Sequence, residues 1–276
     1  MLRQRVITAV ILMAGLLAAL VWLPPIGFDL LLLLVVLAGA WEWTTLSGTS
    51  LVPLRIGFQS VLLLSCGLLM QQSEHWLQGV LLAAVLWWPF ALYCIMRQPR
   101  SVWLLHQPSG LLLVGWLVLV PSWLAVYWMQ RLPGERLFHV LWFVALVAAA
   151  DTGAYFAGKA FGRHKLAPLV SPNKTWEGFF GGMVATALVA VAGAKLGPTA
   201  ALHDVNVVLV ITAALLLAVY SVVGDLFESL LKRTQNLKDS GNVLPGHGGV
   251  MDRLDSITAA LPLFVLLLLQ VTGLSS

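Results

Sequence analysis

The sequence predicts an all-α polytopic integral membrane protein with about nine transmembrane helices. Three observations carry that prediction. Of 276 residues, 59% are hydrophobic and only 10% are charged, whereas a soluble domain carries about a quarter charged residues. Mean hydropathy is +0.90. The apolar residues gather into nine stretches long enough, or nearly so, to cross the roughly 30 Å hydrocarbon core of a bilayer as helices.

The first span, 6–23, follows Arg3 and Arg5 as a secretory signal would. Its apolar run is longer than a signal core, and no small-x-small cleavage site precedes Pro24-Pro25, so it reads as a retained helix. Spans 28–46 and 54–70 follow, with Trp41, Glu42 and Trp43 placed as interfacial residues. Spans 77–96, 110–129 and 137–158 are leucine- and tryptophan-rich. Trp22, Trp76, Trp103, Trp128 and Trp176 fall near span ends, as an aromatic belt at headgroup level requires. Spans 178–196, 205–231 and 256–274 complete the set. Cys66 and Cys94 lie inside apolar spans, without Cys or His at metal-ligand spacing, and read as packed or lipid-facing thiols with no redox role.

The basic residues set the orientation. With a cytoplasmic N-terminus, one side receives thirteen of them: Arg3, Arg5, Arg55, Arg97, Arg100, Lys159, Arg163, Lys165, Lys174, Lys232, Arg233, Lys238 and Arg253. The other side receives Arg131, Arg136 and Lys195. The positive-inside rule therefore predicts a cytoplasmic N-terminus, and nine spans place the C-terminus outside. The net charge of +4 comes from this asymmetry, and without a basic stripe carrying interleaved aromatics it gives no reason to invoke nucleic acid.

The chain divides into halves of unequal content. Residues 1–136 have short loops and almost no expected buried polar groups, so they read as transmembrane scaffold. In 137–276, ionisable residues and glycines crowd the membrane edges, and two long polar loops, 159–177 and 232–255, fall on the predicted cytoplasmic side. Chemistry is expected in this half of a single membrane domain.

The eighth span is too long for the hydrocarbon, so its last turns should leave it or line a wet cavity. Those turns carry Asp225, Glu228, Ser229 and Lys232 on one face and Leu226, Phe227, Leu230 and Leu231 on the other. A solvated helix end with Asp–Lys and Glu–Lys pairs would look the same. What favours function is the depth of Asp225, directly after an uncharged run from Val205 to Gly224. Beyond it, Lys238-Asp239-Ser240-Gly241 and Pro245-Gly246-His247-Gly248-Gly249 form a loop in which glycine lets backbone N–H groups approach a ligand. Asp252 and Asp255 follow, at or just before the ninth span.

Hard oxygen ligands of this kind suit Mg²⁺, which takes one or two protein carboxylates and accepts phosphate oxygens; Asp225 and Asp252 could supply them. Lys232, Arg233, Lys238 and Arg253 would neutralise a polyphosphate, although anionic lipid headgroups attract such residues equally. In the other loop, Ser171-Pro172 fits a helix N-cap followed by proline at the first helical position. That reading places Asn173, Lys174 and Thr175 in a first turn whose free N–H groups favour an anion.

The run Ser229-x-x-Lys232-Arg233-x4-Lys238-Asp239-x-Gly241-x3-Pro245-Gly246-His247-Gly248-Gly249-x-x-Asp252-Arg253-x-Asp255 resembles the signature of the phosphatidate cytidylyltransferases, or CDP-diacylglycerol synthases. The upstream block, Asp151-x-Gly153-Ala154-Tyr155 to Ser171-Pro172-Asn173-Lys174-Thr175-Trp176-Glu177-Gly178, is similar to that family too, as is the Ala-Trp-Glu-Trp stretch around Trp41. The resemblance implies conversion of CTP and phosphatidic acid to CDP-diacylglycerol and pyrophosphate in phospholipid biosynthesis. It implies Mg²⁺, with room for a second, monovalent cation, and activity at the cytoplasmic face of the inner (plasma) membrane. Asp225 and Asp252 become the expected metal ligands, and Asp225, Asp252, Lys232 and Asp255 the expected catalytic residues. Ser171, Lys174, Arg233, Lys238, His247, Gly248, Gly249 and Arg253 become the expected substrate contacts.

A secondary transporter is the competing reading, since intramembrane acids also serve ion coupling. It predicts acids near span centres and related halves, whereas Asp151, Asp225, Asp252 and Asp255 gather at one membrane edge and the halves are unlike. A homo-oligomer is compatible with the sequence, which does not set the number of subunits.

Overall fold

The computed structural model describes residues 2–97, 105, 107–132, 136–241, 243 and 248–272, the side chains of 2–6, 9 and 272 excepted. In chain order the long helices are α1 Leu2–Trp22, α2 Pro25–Leu46, α3 Val52–Leu69, α4 Glu74–Met96, α5 Pro108–Met129, α6 Arg136–Phe161 and α7 Trp176–Leu196. The one-turn α8, Ala200–His203, leads into α9 Val207–Thr234, and α10 Met251–Thr272 closes the fold. Eight of these helices, α2 to α7, α9 and α10, are long and apolar enough to span a membrane, and α1 adds the shorter apolar stretch Val10–Trp22. The protein is thus an all-α polytopic membrane protein, as its composition predicts.

Local chemistry explains where the helices begin. Proline occupies the first positions of α2, α3 and α5, where its missing N–H costs no helical bond. Asn206 caps α9 by accepting from the Val208 N–H at 2.8 Å. Burial then sorts the helices. In the membrane-spanning stretches of α5 and α10, 67% and 61% of residues are buried, so these two form the centre of the bundle. Around α10 lie α9, α5, α4 and α6, with Trp87 and Trp88 of α4 set edge-on to Phe227 of α9 and Phe264 of α10 set against Trp142 and Phe143 of α6. Cys66 and Cys94 are free, buried thiols packed in this core.

The closest helix pair is α6 with α7. Their backbones touch where glycines face each other: a Cβ on Gly182 would lie 2.6 Å from the Ala150 carbonyl oxygen. Small residues at such a seam allow dispersion contacts between backbones that lipid cannot supply.

Three expectations are corrected. Ser171 does not cap a helix. Ser171–Thr175 is a strand, β2, paired antiparallel with β1, Lys165–Ala167, in the register Lys165 opposite Thr175 and Ala167 opposite Ser171. Proline is tolerated there because a two-stranded ribbon has only edge strands. The cap of α7 is Thr175, whose hydroxyl accepts from the Gly178 N–H at 3.2 Å. The last helix starts at Met251 and not near 256, so Asp252 and Asp255 both lie within its first two turns. Finally, the first half is not free of buried polar groups: Asp29 and Glu42 of α2 are both buried. Asp29 is held by Arg131 at 2.9 Å and by Gln130 at the end of the bundle remote from the charged loops.

Candidate active site

The ribbon, the end of α6, the start of α7 and the last turns of α9 enclose a cavity of about 610 Å³, within the range of about 300–1,000 Å³ usual for small-ligand sites. Its lining has two characters. Asp151, Lys159, Ser171, Asn173, Lys174, Thr175 and Asp225 bring polar groups, while Ala154, Tyr155, Leu166, Phe179 and Val222 are apolar. The β2 strand is what delivers Lys174. In the expected helical turn Lys174 would serve a dipole site; as a strand residue it crosses to α9 and pairs with Asp225 Oδ2 at 2.6 Å. Ser229 Oγ lies 3.3 Å from the other carboxylate oxygen, one turn along α9.

A second group of residues meets at the α9–α10 junction. Lys232 Nζ bridges Asp252 Oδ1 at 2.6 Å and Glu228 Oε2 at 3.1 Å. All three are mostly buried, and Glu228 is only 2% exposed. Asp252 Oδ2 accepts from the Gly249 N–H at 2.7 Å and from the Ser240 N–H at 3.0 Å. These bonds fold the glycine loop back on the start of α10. Gly248 takes φ of +79°, in the left-handed region, beside Asp252 and Asp239.

The two groups are joined electrostatically. Asp151 interacts with Asp225, Lys174 and Arg253, and Asp255 with Asp225 and Glu228. Five carboxylates, on α6, α9 and α10, thus face the basic groups of Lys174, Lys232 and Arg253.

Of the expected site residues, Ser171, Lys174 and Asp225 line the cavity, while Asp252, Lys232, Asp255 and Gly249 belong to the adjoining network. Arg253 is exposed and interacts with Asp151. Arg233 and Lys238 are exposed at the same end and form no ion pair among the described residues. His247 lies outside the described residues, as do Pro245 and Gly246.

Lys159 and Tyr155 also line the cavity and are not among the site residues expected from the sequence, while Asn173 and Thr175, expected beside an anion in a helical first turn, line it from a strand. For Lys159 and Tyr155, proximity to the Asp151 motif was the available signal. Sequence reasoning passed over Glu42, which accepts hydrogen bonds from Ser240 Oγ, the Val250 N–H and the Met251 N–H. A lone acid between two tryptophans in an apolar run was the sign there.

Comparison with known proteins turns this geometry into a family assignment. The profile described as the cytidylyltransferase family matches residues 3–271. The chain belongs to the cytidylyltransferase family. It is 39% identical over 271 residues to a phosphatidate cytidylyltransferase of Pseudomonas aeruginosa, covering 97% of each chain. It is 37% identical over 284 residues to a phosphatidate cytidylyltransferase of Haemophilus influenzae, covering 96% of this chain and 97% of that one. A phosphatidate cytidylyltransferase of Staphylococcus aureus is 44% identical over 140 residues, about half of each chain. Membership of the cytidylyltransferase family makes the protein a nucleotidyltransferase, and an acid- and lysine-lined cavity at one end of a helix bundle is suited to handling phosphates.

Proposed function

We propose that the protein transfers the cytidylyl group of CTP to phosphatidate, giving CDP-diacylglycerol and pyrophosphate in phospholipid biosynthesis. The observation that carries this reading is the cavity holding the Lys174–Asp225 pair at the end of a membrane bundle, in a chain similar over nearly its full length to phosphatidate cytidylyltransferases. A phosphate oxygen of phosphatidate attacks the α-phosphorus of CTP. The bond from that phosphorus to the bridging oxygen of the β-phosphate breaks, and pyrophosphate departs with the electron pair. Phosphatidate brings its own nucleophile, so the protein needs to position and neutralise charge more than to form a covalent intermediate.

Lys174 and Lys159 line the cavity and are the first candidates for phosphate contacts. Arg233, Lys238 and Arg253, exposed at the same end, extend that positive field outward. Lys232 acts differently: held by Glu228 and Asp252, it fixes the relation of α9 to α10. Tyr155, Phe179, Leu166 and Val222 supply the apolar wall along which a lipid glycerol and the first methylenes would lie.

Mg²⁺ is the cofactor this reading calls for, since carboxylate oxygens are the ligands it prefers. Among the described residues no three acids converge on one point, and Asp225 and Asp252 are held by Lys174 and Lys232. Asp225 and Asp252 would hold the ion only with those lysines turned toward the substrate phosphates, with a monovalent cation as a second occupant. When bound, the metal would offset the charge that develops on the departing pyrophosphate. The thirteen-to-three distribution of basic residues favours a cytoplasmic location for this end of the bundle, in the bacterial inner membrane.

Incubating purified protein with labelled CTP, phosphatidate and Mg²⁺ tests the proposal. Formation of labelled CDP-diacylglycerol, dependent on both substrates and stopped by chelation, is the expected result. Well-folded protein that makes none would refute it.

A further inference from the structure

Glu42 stands in the half of the chain whose sequence reads as scaffold, yet its carboxylate reaches the active-site loop almost 200 residues away. Oε1 accepts from the Val250 N–H at 3.0 Å, and Oε2 from the Met251 N–H and from Ser240 Oγ, both at 2.9 Å. The side chain is 3% exposed. Gly241 and Gly249 lie against it so closely that a Cβ on either would collide with a carboxylate oxygen. We propose that Glu42 is a positioning residue: it fixes Ser240 and the first turn of α10, and through them the orientation of Asp252.

The physical argument begins at the helix start. The first N–H groups of a helix have no partner within it and carry its positive end. At the start of α10 the Met251 N–H goes to Glu42, arriving from another helix, and the Asp252 N–H goes to Ser240 Oγ. Of the two N–H groups just before the helix, Gly249 donates to Asp252 and Val250 to Glu42. A structural staple between α2 and α10 would not require a charge. Gly39 of α2 already lies against Met251 and Leu254, where a Cβ would come within 3.1 Å of the Met251 sulfur. Burying a carboxylate is expensive unless it is well hydrogen-bonded. What these bonds add to the apolar contact is a defined conformation for the loop backbone.

Ser240 connects Glu42 to Asp252. Its hydroxyl lies 2.9 Å from Glu42 Oε2 and 3.0 Å from Asp252 Oδ2, and it accepts from the Asp252 N–H at 3.3 Å. One hydroxyl proton serves one carboxylate at a time. Glu42 Oε2 is therefore a second acceptor within reach of the Ser240 hydroxyl, which would stay satisfied whichever carboxylate it turns to.

The kinetic consequence rests on the proposed cytidylyltransferase reading, so the test has one arm that does not. Full-length Glu42→Gln, Glu42→Asp and Ser240→Ala are compared with the parent in detergent. We measure kcat and KM for CTP per folded molecule, thermal melting, and amide hydrogen exchange over 248–254. In Glu42→Gln an amide N–H₂ replaces one acceptor and meets donors. We expect kcat to fall about ten- to a hundred-fold, as for residues that orient ligands from behind, with KM much less changed. Exchange at Val250 and Met251 should accelerate about ten-fold as their bonds open more often. Glu42→Asp, retaining the charge, should recover part of the loss.

A purely structural role would instead lower yield and melting temperature with parental kcat in the molecules that fold, and that result overturns the proposal. Unchanged exchange at 250 and 251 in folded Glu42→Gln overturns it equally. If Glu42→Gln does not fold, Ser240→Ala decides: lowered kcat with both amides still protected supports positioning, and parental kcat refutes it. A parent that makes no CDP-diacylglycerol would overturn the functional reading, while the exchange arm would still report whether Glu42 holds the loop.

Discussion

Replacing Asp225 with asparagine probes the centre of the site, because the structure separates what the substitution keeps from what it removes. The side chain stays the same size, and one oxygen remains to accept from Ser229 Oγ, 3.3 Å away. What goes is the negative charge 2.6 Å from Lys174 Nζ. At an effective dielectric constant of about 20, the gross attraction at that distance is roughly 6 kcal/mol. Lys174 and Asp225 are 24% and 31% exposed, so solvent screening and desolvation offset most of it. A net loss of about 1.5–3 kcal/mol remains for a charge-assisted contact, or roughly one to two orders of magnitude in kcat/KM if the charge acts on the transition state. The assay is CDP-diacylglycerol formation across a Mg²⁺ titration, with melting temperature measured in parallel. Expected are a small change in melting, a kcat/KM lower by that factor, and a higher Mg²⁺ requirement. Lys174→Met should instead weaken substrate use while lowering the Mg²⁺ requirement, because it removes the ammonium that competes for the Asp225 carboxylate. If the pair were only structural, the double variant would recover activity by removing both charges together. Recovery in the double variant, or a folded Asp225→Asn protein with parental kinetics and Mg²⁺ dependence, would refute the reasoning.

Lys232→Met should lower melting temperature as well as activity, since it leaves Glu228 and Asp252 without their counter-charge; uncompensated buried charges cost about 3–5 kcal/mol. A variant that melts like the parent would argue that Lys232 is not the strut described above. For orientation, a cysteine at the exposed Lys238 in a Cys66→Ala/Cys94→Ala background should resist an impermeant thiol reagent in intact cells and react after permeabilisation. Labelling from outside would reverse the assigned topology. Gly182→Ala should separate α6 from α7, because its Cβ would lie 2.6 Å from the Ala150 oxygen; a destabilisation of about 1–3 kcal/mol in reversible unfolding is expected. An unchanged unfolding free energy would show that the seam yields.

The helices were legible because hydropathy reports the solvent, and in a bilayer every backbone polar group must be satisfied within a helix or a closed barrel. Apolar runs therefore mapped onto helices almost one to one. The signal weakened where the solvent changed. At the start of α10, Asp252, Arg253 and Asp255 lowered the hydropathy of residues whose backbone is helical, with the Arg253 N–H bonded to the Val250 oxygen at 3.0 Å. Over 171–175, Ser-Pro reads locally as a helix start, but pairing with Lys165–Ala167 decided otherwise. Glu177 reinforces that ribbon by accepting from the Arg163 and His164 N–H groups at its base. Neither partner is visible in the five residues themselves.

The site divides along the same line. Asp225, Lys232 and Asp252 stood out because charge is costly near hydrocarbon and they are clustered in sequence. Sequence spacing placed Asp225 and Lys232 on one helix face, but it could not show that Lys232 would turn to Asp252 while Lys174 came from another loop to reach Asp225. Pairing is a property of the packed bundle. The same reasoning applies more strongly to Glu42: an interfacial reading of Trp41-Glu42-Trp43 accounts for each residue type, yet Trp43 Nε1 donates to the Leu111 oxygen at 2.7 Å and Glu42 is buried against the start of α10. A carboxylate beside hydrocarbon must find donors, and in this fold the nearest unsatisfied ones are the N–H groups of a helix start. Where an apolar run contains an acid, the informative question is which donors lie opposite it. For Asp29 they are the side chains of Arg131 and Gln130; for Glu42 they belong to the segment that starts α10 and bears Asp252, and this ties the first half of the chain to the candidate site in the second.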